Sequence, residues 1–161
     1  VLCPQAANAI KIINDSGMKS VVVTNQSGVA RGYFTAAFIA SVHRRIQSML
    51  VPYHAHLDAF YFCPHHPEGQ GIYRLECNCR KPKPGMLLTA ARDMGIDLRR
   101  SYLIGDTRRD IQAALQAGVK AVLVRTGYGR EAEVESSDFD PNYVADDILE
   151  AVNWIMQDRR K

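Results

Sequence analysis

Apolar positions along the chain switch repeatedly between a helical period and short β-branched runs. Gln5 to Asp15 carries Ala6, Ala9, Ile10 and Ile13 at helical spacing, and Ser16-Gly17 ends the stripe. Ser20-Val21-Val22-Val23-Thr24 has the continuous apolar character of a buried parallel strand. Thr35 is a candidate N-cap for a helix reaching Leu50, with Phe38, Val42, Ile46 and Met49 on one face. A second strand is expected from Leu57 to Phe62, running straight into Cys63. Pro84 opens a helix through Met94 that Gly95 stops. Ser101 to Ile104 reads as a third strand, Arg109 to Gln116 as a helix closed by Gly118, and Ala121 to Val124 as a fourth strand. Ala145 to Gln157 completes the pattern as an amphipathic helix.

Strands alternating with helices predict an α/β fold, a Rossmann-like doubly wound parallel sheet with helices on both faces. Ligands of such sheets bind beyond the carboxyl ends of the strands. Thr24-Asn25, the segment from Cys63, and Asp106 all fall at such ends.

Composition narrows the function classes. With 161 residues, 47% hydrophobic and 23% charged, the chain suits one globular domain. Twenty basic and seventeen acidic side chains leave +3, too little to argue for nucleic acid or a membrane surface. No apolar run approaches the roughly 20 residues of a spanning helix, and no signal peptide is visible. The expected setting is the cytoplasm, and the expected state a monomer acting on a small soluble molecule.

Three loops carry candidate chemistry. Thr24-Asn25-Gln26-Ser27-Gly28 places a hydroxyl, amides and backbone N–H groups at a strand end, suited to a phosphate; the plainer alternative is a polar turn. Arg80-Lys81-Pro82-Lys83-Pro84-Gly85 puts two cations beside a helix start, as an anion grip or a solvated basic loop. Asp106, at the tip of the third strand, suits Mg²⁺, which prefers oxygen ligands. Asp110 is open between orienting the metal shell or the lysine and serving as a helix N-terminal acid.

Cys63-Pro64-His65 followed by Cys77-Asn78-Cys79 gives two paired arms, three thiols and an imidazole. That is a normal donor set for closed, tetrahedral, structural Zn²⁺, and the crowding argues against a disulfide framework. His66 competes as a donor, but the Cys-x-His spacing favours His65. The second arm runs into Arg80-Lys81, so zinc would hold the loop that presents the cations. His43, His54 and His56 read as surface or packing residues, and Cys3 as a small apolar one.

Thr24, Lys81, Asp106 and Asp110 resemble motifs two, three and four of the haloacid dehalogenase-like superfamily. Residues 24–32, the Cys/His loop and Cys79 to Met86 look more narrowly like the heptose bisphosphate phosphatases. Histidinol-phosphate phosphatases share much of the pattern. The resemblance implies Mg²⁺-dependent hydrolysis of a sugar phosphate, the 7-phosphate of D-glycero-D-manno-heptose 1,7-bisphosphate, through an aspartyl-phosphate. It implies that Thr24 and Lys81 stabilise the transferring phosphoryl group and that Asp106 binds Mg²⁺. Asn25, Gln26, Ser27 and Arg80 would contact substrate, with Thr107 where the heptose enzymes often carry lysine.

The family's nucleophile and acid/base lie in an Asp-x-Asp motif ending its first strand, and none occurs before Thr24. Leu2 to Ala7 resembles a segment about thirty residues into a family member. The expectation is therefore one domain, residues 1–161, lacking its first and central strand, whose absence would leave ladder groups unpaired at about 1–3 kcal/mol each if buried. The alternative that the sequence, read literally without that strand, supports is a non-catalytic zinc-containing phosphate-binding protein.

Overall fold

The computed structural model describes residues 2–134 and 140–161, which gather into two compact units, Val1–Arg80 and Lys81–Lys161. All strand pairings among the described residues are parallel. Parallel sheets joined through helices are the α/β class that the alternation predicts.

In the first unit, α1 (Ala6–Asp15) buries Ala6, Ala7, Ala9 and Ile10. Ala7 and Ile10 join Leu50 and Ala55 in a core to which Leu2, Ile46 and Leu57 add partial cover. β1 (Val21–Asn25) pairs with β2 (Ala59–Cys63), with Thr24 opposite Phe62 and Asn25 opposite Cys63. This register brings the polar turn after β1 and the Cys/His loop after β2 out of the sheet side by side. The N–H of Gln26 donates to Cys63 O at 2.8 Å and carries the ladder one step into that turn.

α2 (Ala36–Leu50) starts where expected, with Thr35 Oγ1 accepting the Phe38 N–H at 3.1 Å. Its inward face differs from the expected one. Phe38 is 52% exposed and Val42 36%, whereas Ile39 and Leu50 are buried. His43 lies between them along the helix and stacks on Phe60, centroids 4.3 Å apart at 18°, with Phe62 edge-on at 6.0 Å. A flat imidazole against two strand aromatics thus takes a place that a hydropathy reading gives to a valine. Burial lowers the His43 pKa from its usual value.

In the second unit, α3 (Gly85–Met94) begins just after Pro84 and ends at Gly95, whose φ is +64°. β3 (Tyr102–Gly105), β4 (Lys120–Val124) and β5 (Tyr143–Ala145) form a three-stranded sheet in that order. β4 is central, and Ala121 to Val124 are all buried. α4 (Arg108–Ala117) follows β3, and α5 (Gly129–Val134) follows β4.

The helix expected over Ala145 to Gln157 begins only at Ile148, as α6 (Ile148–Asp158). Asp147 sets that start by accepting the Leu149 and Glu150 N–H groups at 2.8 and 2.9 Å. Residues before it are pulled into the sheet: Ala145 pairs with Val124, and Asn142 Oδ1 accepts the Ala121 N–H at 2.8 Å. Sequence reading anticipated neither β5 nor α5, because a three-residue strand and a six-residue helix are too short to show a period.

Candidate functional site

Each unit holds part of the expected site. In the first, the turn after β1 is closed by backbone bonds from Val29 to Gln26 O (3.1 Å), Arg31 to Ser27 O (3.0 Å) and Tyr33 to Gly28 O (2.8 Å). Gly28 lets the Phe34 ring pack close on the turn, since a Cβ would lie 2.3 Å from it and the ring would have to shift. Thr24 Oγ1 accepts from Gln26 Nε2 at 3.1 Å, which occupies a lone pair and leaves the hydroxyl proton to donate elsewhere. Gln26 thereby orients Thr24.

Cys63, His65, Cys77 and Cys79 converge, their ligand atoms all within 4.8 Å of one another. The Sγ separations are 3.5 Å for Cys63–Cys77, 3.3 Å for Cys77–Cys79 and 2.9 Å for Cys63–Cys79. His65 turns Nδ1 inward, 3.2 Å from Cys79 Sγ and 3.7 Å from Cys63 Sγ. Tetrahedral Zn–S bonds of about 2.3 Å would set sulfurs roughly 3.8 Å apart, so the three thiols would spread by less than about 1 Å to take a single ion. Burial, then hydrogen bonds with Cys63 and Cys77, push the Cys79 thiol far above its ordinary range. Burial likewise pushes Cys63 up. Cys77 moves the other way: burial raises it, but hydrogen bonds with Cys79 and Cys63 outweigh that and lower it. A cation at the centre would stabilise all three thiolates. His66 points away from this centre: its Nδ1 accepts the Glu68 N–H at 3.1 Å.

The metal loop also supports the turn. Gln70 N–H donates to Ala30 O at 2.7 Å, and Gly69 packs so closely that a Cβ would lie 2.6 Å from that of Ala30. Directly after Cys79 comes Arg80. Its Nη1 is buried and finds no acceptor among the described residues. A buried unsatisfied donor on a charged group is costly, and an anion oxygen is the partner that offsets it best.

In the second unit, Lys81 Nζ meets Asp110 Oδ1 at 2.6 Å, the two side chains 13% and 9% exposed. The other carboxylate oxygen of Asp110 accepts from the Thr107 N–H (3.1 Å) and hydroxyl (2.7 Å), while the Asp110 N–H donates to Thr107 Oγ1 (3.3 Å). Asp110 is the acidic member of a capping box and is also paired with Lys81. The Thr107 hydroxyl proton is directed to Asp110. Gly105 makes room for this carboxylate, as a Cβ there would sit 2.2 Å from that of Asp110.

Asp106 stands at the end of β3, half-buried, with Oδ2 accepting the Tyr128 N–H at 3.2 Å. Gly127, at φ +62°, passes so near that a Cβ would be 2.0 Å from Asp106 Oδ2. The Gly127-Tyr128 contact is a part of the site that sequence reading missed. The signal was present in Thr126-Gly127-Tyr128-Gly129, a glycine-bearing loop at the carboxyl end of a strand. One carboxylate beside a polar loop fits Mg²⁺, which takes one or two carboxylates and otherwise water and phosphate oxygens.

Known proteins resemble this chain over most of its length. The family model described as HAD-hydrolase-like matches residues 78–151. The D-glycero-beta-D-manno-heptose-1,7-bisphosphate 7-phosphatase of Haemophilus ducreyi is 48% identical over 129 residues, 79% of this chain and 71% of that protein. The D-glycero-D-manno-heptose-1,7-bisphosphate 7-phosphatase of Thermosynechococcus vestitus is 40% identical over 161 residues, 96% of this chain and 82% of its own length. Among solved structures, D,D-heptose 1,7-bisphosphate phosphatase from B. bronchiseptica, complexed with magnesium and phosphate, superposes with a TM-score of 0.89. It is 34% identical, and the match covers 98% of this chain and 85% of that one.

Proposed function

The chain belongs to the haloacid dehalogenase-like hydrolases, among the heptose 1,7-bisphosphate phosphatases, and on that premise we propose that it removes the 7-phosphate of D-glycero-D-manno-heptose 1,7-bisphosphate. In this reading the reaction depends on Mg²⁺ and passes through an aspartyl-phosphate. The enzyme acts as a monomer on a soluble substrate in the cytoplasm. Among the described residues no helix is long and apolar enough to cross a membrane.

The chain's own groups have distinct tasks. Thr24, oriented by Gln26, donates its hydroxyl proton to a phosphoryl oxygen, and the turn through Ser27 adds backbone N–H donors. Asn25 and Arg80 grip substrate, Arg80 with the nitrogen that has no partner among the described residues. Lys81, held in place by Asp110, meets the charge that builds on the transferring group. Asp106 would hold Mg²⁺, which when bound supplies Lewis-acid neutralisation of the phosphoryl oxygens. The carboxylate that accepts the phosphoryl group in this reading is neither Asp106 nor Asp110. Cys63, His65, Cys77 and Cys79 would hold Zn²⁺ away from the chemistry, keeping Arg80 in register.

The observation that carries the reading is the buried Arg80 Nη1, without a partner among the described residues, directly after a member of the metal cluster. Its test is Arg80→Met in the protein expressed from its complete reading frame. A charged hydrogen bond is worth about 1.5–3 kcal/mol, so kcat/KM for the heptose bisphosphate should fall roughly 10- to 100-fold with zinc content unchanged. Histidinol phosphate is the comparison substrate, and faster turnover of it would transfer the assignment to that compound. An Arg80→Met enzyme as efficient as the wild type would remove the main support.

A further inference from the structure

Where β4 ends, the chain doubles back over the tip of β3. The Arg125 N–H still belongs to the sheet, donating to Ala145 O at 2.9 Å. Gly127 and Tyr128 then lie across Asp106, and the chain turns into α5 at Gly129, whose N–H donates to Thr126 O at 3.1 Å. The reversal is tight: a Cβ on Gly129 would lie 1.7 Å from Val124 O. A loop so placed needs its outgoing arm fixed as firmly as its incoming one.

The Arg125 side chain does this. Its Nε and Nη2 meet Glu133 Oε2 and Oε1, both at 2.8 Å, a bidentate fork onto α5. Its Nη1 reaches Asp146 Oδ1 at 2.7 Å, just beyond β5. One residue thus joins the sheet through its main chain and both later elements through its guanidinium, closing the segment that carries the Tyr128 N–H. The pairing holds the Glu133 carboxyl below the usual carboxylate range, so both partners stay charged across neutral pH.

We propose that Arg125 and Glu133 are positioning residues for Asp106: their fork keeps the Gly127-Tyr128 backbone against the carboxylate and so sets its orientation toward a divalent cation. This rests on the reading of Asp106 as a Mg²⁺ ligand. Neither residue touches the carboxylate; they act through the backbone donor between them. A planar guanidinium is required, because a lysine cannot hold two carboxylate oxygens and a second acid at once. Both partners are partly exposed, and ion pairs of that kind contribute little to stability, so their variants should fold.

The test uses the full-length protein and reads Mg²⁺ binding by calorimetry, amide hydrogen exchange at Tyr128, and thermal melting. Arg125→Ala and Glu133→Gln should each weaken Mg²⁺ about 10-fold, the lower range for groups that orient a metal ligand. They should also speed exchange at Tyr128 while leaving zinc content and melting near wild type. Arg125→Lys should resemble Arg125→Ala, and Arg125→Glu combined with Glu133→Arg should recover part of the affinity. Wild-type Mg²⁺ affinity and Tyr128 protection in both single variants would overturn the proposal and leave Asp106 as ligand untouched. A wild-type protein whose Mg²⁺ binding is absent, or unaffected by Asp106→Asn, would overturn both.

Discussion

Asp110→Asn is the substitution on which the site's internal logic can be judged most directly. The change keeps the shape of the side chain and removes its charge. Lys81 Nζ, 2.6 Å away and mostly buried, then faces an amide, while the Thr107 N–H and hydroxyl compete for what had been an acceptor. If the amide oxygen stays on Lys81, its NH₂ confronts the Thr107 N–H; the opposite flip puts NH₂ against an ammonium. Neither orientation satisfies both sides.

Removing one partner of a buried ion pair costs about 3–5 kcal/mol, and the retained amide oxygen places this case near 3 kcal/mol. At 2–4 °C per kcal/mol for a chain of this size, the melting temperature should fall by roughly 6–12 °C. Thr107→Ala, which removes both the cap and the hydroxyl's bond to the Asp110 carboxylate, should cost roughly 2–3 kcal/mol. Lys81→Met and Asp110→Asn together should cost less than their sum, because the second change removes a charge that the first has stranded. Differential scanning calorimetry at neutral pH on the wild type and these four variants (Asp110→Asn, Thr107→Ala, Lys81→Met and the double) supplies every term. Strict additivity, or an Asp110→Asn protein melting within about 1 °C of the wild type, would refute a buried pair that holds the lysine.

Three further outcomes follow from other parts of the molecule. Cys77→Ser should cut zinc affinity by at least about 100-fold, since losing a ligand must exceed the loss from orienting groups, and native mass spectrometry should show the wild type with one zinc. Thr35→Ala should cost about 1 kcal/mol in urea unfolding through loss of the bond to the Phe38 N–H. His43, with its pKa depressed by burial, is neutral in the folded protein, so the unfolded chain takes up the proton first as pH falls. Its contribution is whole above the ordinary value of 6.5 and is lost as pH falls from there toward the folded pKa; His43→Phe should therefore lose less stability than wild type between about pH 7 and pH 5. Equal losses in melts at the two pH values would contradict that assignment.

How far the sequence could be read depended on how local each signal was. The Thr35 cap and the glycine stops at Gly95 and Gly118 were legible because a cap answers to its immediate neighbours. The Cys/His cluster was legible because four donors in two short arms leave little choice of geometry. The buried face of α2 was not, since His43 packs inward on Phe60, a partner about one helix and a loop away in sequence. β5 was hidden for a similar reason: Tyr143 to Ala145 becomes a strand only because Val122 to Val124 accept it as a neighbour. The dual role of Asp110 could be named but not resolved, as capping and lysine anchoring ask for the same residue at the same place. The backbone donor on Asp106 comes from a loop whose residues carry no distinctive side-chain signal.

The central claim is hydrolysis of one phosphate from a sugar bisphosphate, and phosphorus NMR of the reaction follows it directly. With the full-length protein, D-glycero-D-manno-heptose 1,7-bisphosphate and Mg²⁺, the account predicts loss of the 7-phosphate resonance, growth of inorganic phosphate and a retained 1-phosphate, all abolished by chelation of Mg²⁺. An unchanged spectrum, or release of the 1-phosphate first, would contradict it.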